Sequence, residues 1–172
     1  MKTFLTTAFL FITVAFSSCK KDNSTPIDFS KITVTDTSCI YISDVDNTDW
    51  TYDAVWTIQE KSFLNFTDSI VVTDSTTGYV QPSAICANPN EGAFTLSMNT
   101  EKQCKMKLVC VNTEMQVLYY ASKKFTGGPI ATAYDFRSNT AFHKNENYRL
   151  YYGFYNSKDS LYYKGHGDFR IE

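Results

Sequence analysis

From Ala93 onward, apolar and polar side chains alternate with a period of two, and turn residues break the pattern about every 8–12 residues. Period two is the signature of strands with one face buried, because successive Cβ atoms point to opposite sides of a sheet. Phe94, Leu96 and Met98 fall on one face of the run from Ala93 to Thr100, and Met106, Leu108 and Cys110 do the same in the next. Gln116 to Phe125 and Ala131 to Phe136 are further strands, separated by Thr126-Gly127-Gly128-Pro129. Tyr148 to Tyr155 and Leu161 to Ile171 read as a closing hairpin turned through Asn156-Ser157-Lys158-Asp159. Upstream, Ile32 to Val34, Cys39 to Ile42 and Ser69 to Thr73 read as strands, with Thr76-Thr77-Gly78 as a turn. One helix interrupts them. Thr57-Ile58-Gln59-Glu60 fits a capping box, in which the Thr hydroxyl and the Glu carboxylate each satisfy a backbone donor. The expectation is an all-β antiparallel sandwich with an N-terminal extension carrying one short helix. A hydrophobic content of 43% and an aromatic content of 16% suffice to fill its core.

The first residues read as an address. Lys2 supplies a positive start, Phe4 to Phe16 form an apolar run of 13 residues, and Ser17-Ser18 precede Cys19. A spanning helix needs roughly 20 apolar residues, so the run is too short to cross a bilayer. Small residues followed by cysteine resemble a bacterial lipoprotein signal, and Ser18-Cys19-Lys20-Lys21-Asp22 is similar to those of the Bacteroidota. Phe16 departs from the usual Leu, Val or Ile. The resemblance implies that residues 1–18 are removed, that Cys19 is acylated with palmitate-like chains, and that the protein is anchored in the cell envelope, at the outer membrane. Its periplasmic or surface face stays open. Residues 19–30, polar and bearing Pro26, read as a flexible tether. Residues 31–172 are then expected to form one sandwich, with the extension, about 31–80, packed on the rest.

Of 5 cysteines, four remain beside Cys19. An even remainder in an exported chain suggests disulfides. Cys104 and Cys110 lie in one strand-like run, about 20 Å apart at 3.3 Å per residue, too far for a bridge that needs Cα atoms within about 7 Å. Two options stand: Cys39–Cys86 with Cys104 and Cys110 free and buried, or cross-pairing. No CxxC or Cys/His cluster points to zinc.

Asn88-Pro89-Asn90-Glu91-Gly92-Ala93-Phe94-Thr95-Leu96 resembles the opening of the Ig-like sorting domain at the C-termini of Bacteroidota secreted proteins and of its flagellar hook-cap relatives. Lys107-Leu108-Val109 followed by Gln116-Val117-Leu118 fits a hairpin of that family, and the similarity runs over residues 88–172. It implies an Ig-like fold for about 85–172. Cys104 and Cys110 depart from the family, and lipid anchoring is a different route out of the cell, so the fold carries over and the sorting function does not.

Candidate chemistry is sparse. Asp44, Asp46 and Asp49 cluster in six residues, as hard cations prefer, but without the glycine and distal Glu of an EF-hand they read first as a solvated loop. His166 and Asp168 share a strand face and are placed to share a proton, yet no nucleophile accompanies them; a terminal-strand His with glycines permitting a bulge is the simpler reading. In the closing hairpin, Leu150 argues that Tyr148, Leu150, Tyr152 and Phe154 point inward. That leaves Arg149, Tyr151 and Tyr155 outward, where the two tyrosines are a possible binding surface. Trp50 and Trp56 are expected to pin the helix onto the sandwich. With 16 Lys+Arg against 18 Asp+Glu, nucleic acid is not the expected partner. The reading is a non-enzymatic, cofactor-free binding or scaffolding domain held at the membrane, its partner an envelope protein. The alternative is a glycan-binding accessory lipoprotein that uses exposed tyrosines.

Overall fold

The structure is a computed structural model that describes residues 26–43, 45–65 and 77–172. Residues 1–18, Cys19, most of the tether, Asp44 and the Ser69 to Thr73 run lie outside the described residues. The chain order is β1 (Val34–Thr35), β2 (Tyr41–Ser43), α1 (Ile58–Leu64), β3 (Val80–Cys86), β4 (Ala93–Thr100), β5 (Cys104–Val111), β6 (Val117–Phe125), β7 (Gly128–Asp135), β8 (Glu146–Tyr155) and β9 (Leu161–Ile171).

Two antiparallel sheets form the body, one ordered β3-β4-β7 and the other β6-β5-β8-β9. The chain crosses between sheets after β4, after β6 and after β7, which gives an Ig-like β-sandwich. Alternation drives this arrangement. Phe94, Leu96 and Met98 from one sheet share a core with Met106, Leu108 and Cys110 from the other. Aromatic rings fill one end, where Phe136 stacks on Phe142 at 4.1 Å and Phe94 tilts against Phe169 at 5.0 Å. Tyr148, Leu150, Tyr152 and Phe154 all point into this core, as the alternation predicts.

β3 was not legible as a strand, since Pro82 interrupts it and its register shifts between Pro82 and Ile85. It is tolerated there because β3 is an edge strand, where a missing donor faces outward. β7 likewise starts at Gly128 and takes in Pro129, which the sequence reads as part of a break.

The extension closes the larger sheet. α1 begins at the predicted box: Thr57 Oγ1 accepts from Glu60 N at 3.2 Å, and Glu60 Oε2 accepts from Thr57 N at 2.6 Å. Its Leu64, with Trp56, joins Val109, Val111, Met115 and Tyr151 in a second apolar cluster on the outer face of β5 and β8. Ahead of α1, the chain runs along the free edge of β9, where Trp50 N donates to His166 O at 2.7 Å and Asp53 N to Lys164 O at 2.9 Å. Asn90 N donates to Arg170 O further along the same edge. An uncovered edge is a template for pairing with other chains, and here both halves of it are occupied.

Gly165 and Gly167 make that approach possible. A Cβ at Gly165 would lie 2.1 Å from Thr51 O, and one at Gly167 2.3 Å from the Trp50 ring. The β8–β9 register runs through both without a shift, so these glycines provide space and not the expected bulge. The Cys39–Cys86 disulfide fastens the β1–β2 hairpin to the end of β3, leaving Cys104 and Cys110 free and buried. Of the two pairing options, this is the first.

Candidate binding surface

Tyr151 and Tyr155 are not outward-facing ligand groups: they are 0% and 4% exposed. The expectation fails because the extension covers the face to which they point. The Tyr151 ring lies between Trp56 and Phe63, 5.2 and 5.4 Å away, and its hydroxyl donates to Glu60 Oε1 at 2.9 Å. Tyr155 donates to the Leu64 carbonyl at 3.5 Å, and the ammonium groups of Lys107 and Lys105 sit over its ring at 4.5 and 5.6 Å. Arg149 is also drawn in, forking onto Asp168 through Nε and Nη2 at 2.6 and 2.7 Å.

His166 and Asp168 do not share a proton. His166 Nδ1 meets Asp53 Oδ2 at 2.7 Å, and the same oxygen accepts from Trp56 Nε1 at 2.7 Å. Lys164 donates to the Asp53 carbonyl at 2.5 Å and lies over the Trp56 ring at 5.0 Å. Burial lowers the Lys164 pKa against the pull of Asp53 and Glu60. Together these groups fasten the extension to β9 through polar contacts, while Trp50 and Trp56 do so through apolar ones. The thiols of Cys104 and Cys110 are pushed up by burial, which removes the thiolate a nucleophile would need.

The acidic loop is also structural. Asp49 accepts from Thr33 N at 3.2 Å and from Asp168 N at 2.9 Å, so it joins the extension to β9. Burial and the neighbouring Asp168 charge raise its pKa to about 6. Asp46 Oδ1 accepts from Thr48 within the loop. Among the described residues, no group of three or more His, Cys, Asp or Glu is placed to hold a metal ion.

What the described residues of the extension leave uncovered lies on β5 and β6. Tyr120 is 52% exposed and pairs with Val109, which in turn pairs with Tyr151, so Tyr120 occupies the same outer face one strand beyond the helix. Ser122 and Lys124 follow it on that face, opposite Lys107 and Lys105. Lysines directly across a ladder repel. Asp159, from the β8–β9 turn, offsets this by binding Lys105. Its carboxyl is held below the usual range by that hydrogen bond and by the charges of Lys105, Lys107 and Lys124. The surface is therefore a tyrosine, a serine and three cations around one carboxylate. Sequence reasoning missed it because its members come from β5, β6 and a turn, and only the strand register joins them. The one local signal was Lys105-x-Lys107, two cations on one face of a strand.

No family model matches this chain, and no curated protein is similar enough to count as a match.

Proposed function

We propose that the protein is a lipid-anchored envelope protein whose Ig-like sandwich is a non-enzymatic binding or scaffolding module. The observation that supports this best is the division of the outer face among the described residues: one half is sealed by the extension, and the other is left as a strip of Tyr120, Ser122 and lysines. Catalytic-type side chains elsewhere are already engaged: Asp53 holds His166 and Trp56 together, and Asp168 carries the Arg149 fork between β8 and β9. The seven Cα-to-Cα steps from Cys19 to Pro26 reach at most about 25 Å, so acylation at Cys19 would keep the sandwich close to the bilayer. Partners are then envelope macromolecules within that reach. A glycan-binding role is the second reading, and Tyr120 favours it, because an exposed ring on a flat sheet face can stack on a sugar.

Metabolic labelling with an alkyne palmitate analogue tests the anchor. The wild type should label and partition with membranes, whereas Cys19→Ala should do neither. Equal labelling of the two proteins removes the lipoprotein reading. Crosslinking in intact cells, followed by detergent extraction and pull-down, tests the binding role. Tyr120→Ala should then lose a partner that the wild type retains.

A further inference from the structure

Where β5 begins, β6 ends and the β8–β9 turn folds over them, Lys105, Lys124, Asn156, Ser157 and Asp159 wall a cleft of about 230 Å³. Asn156 is 3% exposed, and its Oδ1 accepts from Lys158 N and Ser160 N, both at 3.0 Å. Two backbone donors on one oxygen fix the orientation of the amide. Its Nδ2 is therefore a genuine donor, and it has no partner. A buried donor left unmade is costly, and Asn156 is one of the residues lining the cleft, so an acceptor entering there would satisfy it.

The cleft already holds one carboxylate. Asp159 binds Lys105 from an exposed position in the turn, its side chain 74% accessible and its backbone left-handed at φ 58°. Lys124 makes no hydrogen bond or ion pair among the described residues. We propose that this cleft binds the carboxylate of an acidic saccharide, with Lys105, Lys124 and Asn156 as donors and Asp159 as the internal carboxylate it displaces. Two ammonium groups supply charge, and the fixed amide supplies direction. Tyr120 lies four residues from Lys124 on the same strand face, about 13 Å away at 3.3 Å per residue, and offers its exposed ring to a further sugar of the same chain. The inference rests on the domain being a binding module and does not require the lipid anchor.

The test is titration calorimetry on the full-length protein in non-ionic detergent, with trigalacturonate, its full methyl ester, inorganic sulfate and vesicles containing phosphatidylglycerol. Trigalacturonate should bind saturably and more weakly as salt rises; the ester should not bind, and sulfate should bind at least tenfold more weakly. Lys105→Ala and Lys124→Ala should each weaken binding at least tenfold. Asn156→Asp keeps an acceptor for the two backbone donors, preserving the turn, yet puts an oxygen where the orphan donor stood; it too should lose at least tenfold. Asp159→Asn removes the internal competitor, and Asn tolerates the left-handed backbone, so binding should tighten several-fold. Equal binding of acid and ester, sulfate binding as tight as the trisaccharide, weaker binding by Asp159→Asn, or binding to vesicles alone overturns the proposal. Thermal melts of each variant separate lost binding from lost fold. If Cys19 labels and no saccharide binds, this inference fails while the anchored module stands; the converse result removes only the anchor.

Discussion

Leu150 and Tyr151 are neighbours in β8 that face opposite ways, and both are fully buried. Alternation places Leu150 inward correctly, but it leaves Tyr151 to solvent because a period of two says nothing about what covers the second face. Leu150→Ala should cost about 2–5 kcal/mol through transfer and cavity terms, and Tyr151→Ala about 3–5 kcal/mol for the same reason. Tyr151→Phe isolates the hydroxyl on Glu60 and should cost about 1 kcal/mol. Urea melts of the three variants check the ranking; a near-neutral Tyr151→Ala would show that the extension does not cover this face. Asp49 makes a second residue-scale prediction. With its pKa raised from 3.8 to about 6, the folded protein keeps a proton that the unfolded chain has already released between those values. Stability therefore falls as pH rises through that window, by about 1 kcal/mol from pH 5 to pH 7. Burial also raises the Asp168 carboxyl, against the Arg149 fork, and acts with the same sign. Asp135, held down to about 2 by Arg137, acts only below the window. Melts from pH 4.5 to 7.5 should show the slope in the wild type, and Asp49→Asn should flatten it.

At the scale of elements, legibility followed the locality of the signal. α1 was readable because its capping box lies within four residues, and the β8–β9 hairpin because its strands and turn are contiguous. β3 was not, since Pro82 spoils its pattern and only its place at a sheet edge tolerates the proline. The lysine strip and its cleft were unreadable for another reason: β5–β6 register and the return of the β8–β9 turn bring them together. Gly165 and Gly167 are legible as glycines but not as clearance for Thr51 and Trp50, which approach from over a hundred residues upstream. Gly167→Ala tests that role. Its backbone needs no left-handed φ, so any loss comes from the Trp50 ring, which must move to admit a methyl group. Overpacking of this kind costs about 1–3 kcal/mol. The loss should come with a red shift in tryptophan emission, whereas a neutral substitution would mean that Trp50 does not sit against β9.

The whole molecule depends on whether the extension and the sandwich unfold together. Trp50 belongs to the core between the sheets, and Trp56 to the cluster on the outer face, so the extension reaches around β9 and grips both sides. The Cys39–Cys86 bridge adds a covalent tie across a separation of 47 residues, which chain entropy values at about 4 kcal/mol. Detaching the extension would expose the Trp50 side of the core and leave Arg149, Asp168 and His166 without much of their surroundings. One transition is therefore expected. The chain is suited to the measurement, because its 2 tryptophans both lie in the extension while strands elsewhere dominate the far-ultraviolet signal. In urea, tryptophan fluorescence and far-ultraviolet circular dichroism should trace the same curve with one midpoint. Cys39→Ser/Cys86→Ser should shift that midpoint down while the two probes stay superimposed, because Trp50 and the polar contacts of Asp53 still join the layers. If fluorescence changes first in the bridged protein, the extension is a separate unit lying on a self-sufficient sandwich. If the probes part only after the bridge is removed, the disulfide, and not the packing of Trp50, makes the molecule cooperative.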